Sequence, residues 1–201
     1  MNQDAKESHS ENPFESFGKL FAKAESSGMQ DPNAVTLSTV DESGIPWARI
    51  VLMKSFDHHG FVFYTNLESR KGRQIADEPR VCLSFFWRRL QAQAIISGTA
   101  QKVSDEEADA YFATRPRTSQ LGAWASDQSR PLSGRGRLMA DVARLEARYF
   151  GRAVPRPPHW SGFRVVPNYF EIWSGGAFRL HDRTVYHRQA DSTWSQEMLY
   201  P

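Results

Sequence analysis

Short runs of alternating apolar and polar residues, separated by tight-turn signals, fill the sequence between residues 33 and 98. Alternation with a period of two is typical of strands that bury one face. The runs predict strands at 35–39, 47–55, 61–65, 80–87 and 93–98. Because short strands joined by tight turns form antiparallel meanders or barrels, this stretch restricts the chain to a fold built on an antiparallel sheet.

Helical patterns flank and interrupt these strands. A first amphipathic helix is predicted to start at Asn12-Pro13 and to stop at Gly28, because Asn caps helices, Pro suits the first turn and Gly suits the end. The other predicted elements are helices at 69–77, 104–116 and 138–149 and strands at 163–173, 178–188 and around Trp194. The predicted class is α+β: one domain at 13–201, an antiparallel barrel with flanking helices, after a disordered polar tail at 1–12.

The composition excludes several classes of protein. Charged residues nearly cancel to a net charge of +2, so nucleic acid is not expected as the main partner. No apolar run approaches the ~20 residues that cross a bilayer, and the first residues lack the apolar segment of a signal peptide. The single cysteine, Cys82, excludes an internal disulfide, and no Cys or His spacing suggests a metal site. We expect a soluble cytoplasmic protein without a metal.

Three cationic side chains alternate in the segment Arg179-Leu180-His181-Asp182-Arg183. If the segment is a strand, Arg179, His181 and Arg183 share one face, each ~6.6 Å from the next. A row of cations is unfavourable unless something anionic or electron-rich lies opposite. The segment is equally compatible with a solvated edge strand whose charges prevent aggregation.

A second pair of cations, Arg49 and Lys54, brackets four apolar residues in a predicted strand. The two positions differ by an odd number, so their side chains face opposite sides, ~16 Å apart along the strand. They are therefore expected to serve two separate anionic groups, or else to cap the strand ends in water.

Other basic and polar residues suit a phosphate. Arg70 and Lys71 begin a predicted helix, where the N-terminus attracts anions. Tyr111 and Arg115 lie four residues apart on one helix face, with Ser119 just beyond Pro116, and could donate to a phosphate monoester. Plain surface clusters and helix ends have the same composition. These residues indicate a binder of phosphorylated small molecules and do not name a reaction.

Several spaced motifs together resemble one family, the bacterial pyridoxamine 5′-phosphate oxidases, over about residues 13–201. The motifs are Arg49–Lys54 (RIVLMK), Phe63–Asn66 (FYTN), Ser69–Lys71 (SRK), Arg115–Arg117 (RPR), Ser119–Trp124 (SQLGAW), Gln128-Ser129 and Arg179–Arg183 (RLHDR). A set of motifs in the right order is more specific than any one of them.

The resemblance implies a homodimeric, Greek-key-like FMN-binding split barrel with two flavin sites shared across the subunit interface. The residues it assigns to FMN are Arg49, Ile50, Val51, Leu52, Met53, Lys54, Tyr64, Thr65, Arg70, Lys71, Gln93, Gln128, Ser129, Trp173 and Arg183. Among them, Arg49, Arg70 and Lys71 would hold the phosphate and ribityl end. The residues it assigns to the substrate phosphate are Lys54, Tyr111, Arg115 and Ser119. Arg179 and His181 would orient the pyridine ring and are the candidate catalytic residues.

The implied reaction oxidises pyridoxine 5′-phosphate or pyridoxamine 5′-phosphate to pyridoxal 5′-phosphate by hydride transfer from C4′ to the flavin, with O₂ reduced to H₂O₂. Two departures from the family pattern bear on the substrate. Residues 1–12 lack the Arg-Arg-x-Tyr segment that family members commonly carry, and Gln91-Ala92 stands where Glu-Arg is usual. The alternatives are a flavin oxidase of the same fold acting on another aromatic substrate, as in phenazine biosynthesis, and a non-catalytic module that binds flavin or pyridoxal phosphate.

Overall fold

The computed structural model describes residues 12–201, so the predicted tail lies outside the described residues except for Asn12. The strands are β1 Ala34–Val40, β2 Pro46–Leu52, β3 Ser55–Asp57, β4 Gly60–Asn66, β5 Arg80–Trp87, β6 Ala92–Lys102, β7 Trp160–Ser174, β8 Asp182–Arg188 and β9 Trp194–Leu199. The helices are α1 Pro13–Ser26, α2 Arg70–Asp77, α3 Asp105–Thr114, α4 Arg117–Ala125 and α5 Arg135–Arg148.

The nine strands form one curled antiparallel sheet. The order along the main path is β2-β1-β5-β6-β7-β4-β3, and β8 and β9 continue from β7 as a hairpin. The long strand β7 pairs with β6 on one side and, on the other, with β4 over its first part and β8 over its last part. These features confirm the predicted α+β class and its antiparallel half-barrel.

The first helix closes the concave side of the sheet. Asn12 caps it by accepting a hydrogen bond from the Phe14 backbone N–H, as its sequence predicts. Phe17 is fully buried, and its ring lies within 6 Å of the centroids of Phe61, Phe85 and Trp87. Burying a large aromatic side chain stabilises the fold by roughly 1.5–3 kcal/mol. Phe17 and the three rings around it therefore form a large part of the barrel core.

The predicted strand 47–55 is wrong in one respect, because it ends at Leu52. The Met53 N–H donates to Asn33 O, whereas the Lys54 N–H donates to Val62 O, so the chain changes its hydrogen-bonding partner between these two residues. This change places Met53 in the core and begins the short strand β3. Alternation along a single strand therefore does not reach Lys54.

The predicted helices at 69–77 and 104–116 each begin at a serine that caps them. Ser104 accepts from the Glu107 N–H at the start of α3, and Ser69 accepts from the Gly72 N–H at the start of α2. Helix α4 was not predicted. Within residues 12–201, no helix combines the length and apolarity needed to cross a membrane.

Candidate active site

A cavity of about 470 Å³ opens between β2, β4, α2 and the corner where α3 meets α4. Its lining contains most of the residues that the family resemblance assigns to flavin and substrate phosphate. They are Ile50, Val51, Leu52, Lys54, Tyr64, Thr65, Lys71, Tyr111, Arg115, Ser119 and Gln128. Thr114, Pro116 and Trp160 complete the lining. The fold thus brings together residues that are up to 110 positions apart in the sequence, from Ile50 to Trp160.

One wall of the cavity is a stack of three aromatic rings. The ring of Tyr64 lies 4.0 Å from that of Tyr111 and 5.2 Å from that of Trp160, with interplanar angles of 12° and 6°. Burial, followed by the negative charge of Glu107, raises the pKa of Tyr64 to about 12. The phenol therefore keeps its proton at neutral pH and remains able to donate a hydrogen bond.

Arg115 caps the C-terminus of α3, and Pro116 prevents the helix from continuing. Its guanidinium carbon lies 4.8 Å from the centroid of the Trp160 ring. Within the described chain, its buried Nη1 has no hydrogen-bond partner. Burial lowers the pKa of the guanidinium from its ordinary value, but arginine stays charged in proteins. A desolvated cation with an unpartnered N–H beside a cavity is suited to binding an anion.

Lys71 projects into the same cavity from the first turn of α2. Its Nζ donates to Thr65 Oγ1 and Gln128 Oε1, both at 3.1 Å, and to Ser69 Oγ at 3.3 Å. All three acceptors are neutral. Burial and then the nearby charge of Arg49 lower the pKa of Lys71 to about 8. The ammonium group is thus poorly compensated by its own protein, and a bound anion would raise its pKa again.

Arg49 and Arg70 flank Lys71 but lie outside the cavity lining. Arg49 turns toward the barrel, where it donates to Leu37 O, Thr39 Oγ1 and Gln74 Oε1. Arg70 stacks on Trp47 with its guanidinium carbon 4.1 Å from the ring centroid. Lys54, in contrast, lines the cavity, so the two cations that bracket the RIVLMK motif have different surroundings.

Five cations of this region, all predicted from the sequence, share one electrostatic property. Arg49, Lys54, Arg70, Lys71 and Arg115 form no ion pair with a carboxylate in the part of the chain that the structure describes. Largely buried arginines elsewhere, such as Arg156 and Arg164, each contact two carboxylates. The region therefore carries positive charge that its own protein does not compensate.

A second group of predicted residues lies on β6, β7 and β8. Gln93 is opposite Trp173 in the sheet, and Trp173 is opposite Arg183, so the three side chains share one face. Arg183 Nε donates to Oε1 of the buried Glu171 at 2.8 Å, and this ion pair lowers the pKa of the carboxyl. These residues lie outside the cavity lining, so one chain does not assemble all predicted site residues in one place.

The prediction of a strand across 178–188 is wrong at its start, because β8 begins at Asp182. Residues 177–179 form a 3₁₀ turn, and both Phe178 and Arg179 have positive φ, of 56° and 63°. Arg179, His181 and Arg183 therefore do not alternate on one strand. His181 instead folds back, with Nδ1 accepting from the Gly176 N–H at 3.2 Å and its ring 4.8 Å from that of Trp173.

One more predicted residue, Ser129, and three residues that the sequence does not predict also belong to this region. Ser129 sits in the loop after α4 with a φ of 73°, next to Gln128. Trp160 was missed by the sequence reasoning, although it lines the main cavity and a second cavity of about 370 Å³ that also contains Arg115 and Ser119. Its position directly after a proline-rich linker carried no signal of a site. Gln74 and Thr39, which contact Arg49, were missed as well.

Comparison with known protein families shows which proteins this chain is related to. Residues 21–166 match the family model described as pyridoxamine 5′-phosphate oxidase. The chain belongs to the pyridoxamine 5′-phosphate oxidase family. Residues 160–201 match a second model, described as the pyridoxine 5′-phosphate oxidase C-terminal dimerisation region. That second match contains Trp173, Arg179, His181 and Arg183, four of the predicted site residues that do not line the cavity.

Individual family members agree with this membership. A protein of Azorhizobium caulinodans named pyridoxine/pyridoxamine 5′-phosphate oxidase is 53% identical over 190 residues, which cover 94% of this chain and 90% of the relative. The solved structure of PhzG from Burkholderia lata, in complex with tetrahydrophenazine-1-carboxylic acid, has a TM-score of 0.91 at 30% identity and covers 100% of this chain and 98% of that one. An FMN-binding, pyridoxamine 5′-phosphate oxidase-related protein from Nostoc punctiforme shares the fold, with a TM-score of 0.76 at 17% identity, over 96% of this chain and 99% of that one.

Proposed function

We propose that this protein is an FMN-dependent oxidase that converts pyridoxine 5′-phosphate and pyridoxamine 5′-phosphate to pyridoxal 5′-phosphate, with O₂ reduced to H₂O₂. The observation that carries the proposal is a set of five cations without carboxylate partners among the described residues: Lys54, Lys71 and Arg115 line one cavity, and Arg49 and Arg70 lie beside Lys71. A flavin mononucleotide and a phosphorylated substrate together bring two phosphate groups, which would compensate this charge. The names of relatives about 50% identical to this chain support the same activity.

The residues at α2 fit the phosphate of FMN. Lys71 is desolvated, has only neutral hydrogen-bond acceptors, and has a pKa of about 8. Arg70 directly precedes Lys71 on α2, and Arg49 on β2 is close enough for its charge to lower the pKa of Lys71. The neighbouring side chains of Ile50 and Leu52 are exposed and apolar, which suits a flat flavin ring. We assign Arg49, Arg70 and Lys71 to the cofactor phosphate and Ile50 to Leu52 to the ring.

Four other residues of the cavity lining fit the phosphate of the substrate. Lys54, Tyr111, Arg115 and Ser119 come from three segments: the β2–β3 connection, α3 with its C-cap, and α4. They supply two cations, a phenol and a hydroxyl, all of which donate hydrogen bonds. We assign these four residues to the phosphate of a B6 vitamer.

The remaining site residues would come from a second copy of the chain. Trp173, Arg179, His181 and Arg183 lie within the match to a dimerisation region. The sheet face that carries Trp173 also exposes Phe86 and Ile50, which are 62% and 64% accessible. Large exposed apolar side chains on one face are typical of protein interfaces. We infer a homodimer in which this face brings Arg179 and His181 of one subunit to the cavity of the other.

The protein's part in the reaction is to bind and orient the cofactor and the substrate and to exclude water. FMN, when bound, supplies the acceptor for the hydride from the substrate C4′ carbon and the subsequent reaction with O₂. Lys54 and Arg115 fix one end of the substrate, and the ring stack of Tyr64, Tyr111 and Trp160 closes the wall beside it. Holding the reacting carbon at a fixed place raises the rate, because the reaction with the cofactor becomes effectively intramolecular. His181 and Arg179 are proposed to orient the pyridine ring and to assist proton removal.

A second function is favoured by one observation, the close structural likeness to PhzG with its tetrahydrophenazine ligand. An oxidase of an unphosphorylated aromatic substrate would not need the group formed by Lys54, Tyr111, Arg115 and Ser119. The presence of all four in one cavity favours a phosphorylated substrate.

The test is an oxidase assay with matched substrates. Purified protein reconstituted with FMN is given pyridoxine 5′-phosphate or unphosphorylated pyridoxine, and aldehyde and H₂O₂ are followed. We expect turnover with the phosphorylated compound at least about 100-fold more efficient in kcat/KM. Flavin binding without turnover would indicate a non-catalytic module, and equal rates with both compounds would indicate a different aromatic substrate. If the protein binds no FMN, every function that requires a flavin is excluded. A cytoplasmic location stays a prediction.

A further inference from the structure

A closed polar network lies beneath Arg49, in the interior of the sheet. Thr39 Oγ1 donates to Gln74 Oε1 at 2.7 Å. Arg49 Nη1 donates to Thr39 Oγ1 at 2.6 Å, and Arg49 Nη2 donates to the same Gln74 Oε1 at 3.1 Å. Thr39 and Gln74 are only 1% and 5% exposed. Buried polar groups of this kind specify one geometry when every bond is satisfied.

The network leaves one edge of the Arg49 guanidinium without a hydrogen-bond partner in the network. Arg49 makes a third bond, from Nη1 to Leu37 O at 3.1 Å, so both hydrogens of Nη1 are occupied. Together with the bond to Gln74, three of the five N–H groups are committed to the protein. The Nε–H and the second Nη2–H remain, and this edge of a guanidinium can bind two oxygens of one phosphate.

Gln74 also connects Arg49 to the helix that carries the other two cations. It lies one turn after Arg70 and Lys71 on α2. The same helix approaches the preceding loop so closely that a Cβ on Gly72 would lie 2.1 Å from Leu67 O. The network therefore fixes the position of α2 relative to β1 and β2, and with it the spacing of all three cations.

We propose that Thr39 and Gln74 are positioning residues for phosphate recognition, holding the Arg49 guanidinium so that its free edge faces the FMN phosphate. The inference rests on the proposed function, because it needs FMN as the ligand. It predicts that breaking the network weakens binding of the phosphate and not of the flavin ring. A purely structural role would instead weaken binding of any flavin.

The experiment compares two substitutions at one position. Thr39→Val removes the hydroxyl and keeps the shape, whereas Thr39→Ser keeps the hydroxyl. Flavin-free protein is titrated with FMN and with riboflavin, which lacks the phosphate, and flavin fluorescence gives each Kd. We expect Thr39→Val to raise the Kd for FMN about tenfold or more and the Kd for riboflavin less than about twofold, and Thr39→Ser to stay near wild type.

A second variant keeps the test decisive if Thr39→Val does not fold. Gln74→Met has a similar volume but no acceptor, and the same selective loss of FMN affinity is expected. An equal loss for FMN and riboflavin, or no loss for either, would overturn the positioning role. If wild-type protein binds FMN no better than riboflavin, phosphate recognition is absent and the proposed function itself fails, which separates the two conclusions.

Discussion

Replacing Arg115 with alanine should weaken substrate binding and leave the stability of the fold nearly unchanged. A charge-assisted hydrogen bond contributes about 1.5–3 kcal/mol, and about 1.4 kcal/mol corresponds to a tenfold change. We therefore expect kcat/KM for pyridoxine 5′-phosphate to fall about 10- to 100-fold, mostly through a higher KM. With unphosphorylated pyridoxine, which offers no phosphate to Arg115, the fall should be less than about threefold.

The stability of the Arg115→Ala variant should change little, because two effects oppose each other. The guanidinium stacks on Trp160, which contributes about 0.5–2 kcal/mol. Its buried Nη1, however, has no partner within residues 12–201, which costs about 1–3 kcal/mol. The difference is expected to stay below about 1 kcal/mol, or a shift of roughly 2–4 °C at most in Tm.

Arg156→Ala is the matched control, since Arg156 also contacts Trp160, through the backbone carbonyl at 2.9 Å. Its guanidinium is paired with Asp105 and Asp109 and does not line the cavity. The control should lower Tm and leave KM unchanged. A normal KM in Arg115→Ala, or an equal loss of kcat/KM with and without the substrate phosphate, would refute the assignment of Arg115. Steady-state kinetics and thermal denaturation of both variants provide the measurements.

Three other predictions concern charge and assembly. FMN affinity should fall as pH rises through about 8, because flavin-free protein then loses the Lys71 charge that the phosphate needs, and Lys71→Arg should remove this dependence in fluorescence titrations. Glu171→Gln should destabilise the protein by about 1–3 kcal/mol at pH 7, by weakening the ion pair to Arg183. Because that pair lowers the Glu171 pKa, the difference in denaturation midpoint should shrink as pH falls below about 4.5. Phe86→Asp should shift the protein from dimer to monomer in size-exclusion chromatography, while far-UV circular dichroism stays unchanged.

The sheet could be predicted from the sequence because its signals are local. Alternation identifies the strand at 80–87 with its observed ends, and the Asn12 and Ser104 caps mark the starts of α1 and α3. The break at Met53 could not be predicted in this way. It arises from a change of pairing partner from β1 to β4, and alternation within one strand does not record which strand lies beside it.

The site residues also fall into two kinds: those that a local sequence motif identifies, and those that only the tertiary structure brings to the site. Motif positions such as Lys54 and Arg115 could be assigned from the family pattern, and eleven of the assigned residues line one cavity. Trp160, Thr39 and Gln74 could not, because their contacts are made by segments far apart in the chain. The alternation predicted for Arg179, His181 and Arg183 failed for a different reason, since the positive φ of Phe178 and Arg179 replaces the strand at that point.

Charge compensation gives a physical reason to assign Arg183 and the cavity cations Lys71 and Arg115 to different subunits. Arg183 is already paired with a buried carboxylate and held by Tyr200 O, so its position is fixed in the free chain. Lys71 and Arg115 are desolvated without such a partner, and their charge is unfavourable until an anion binds. A rigid, compensated group suits the surface that a partner subunit presents, whereas an uncompensated group suits the pocket that binds phosphate. The same reasoning requires phosphate or FMN to raise the Tm of flavin-free protein, because each ligand compensates charge only in the folded state.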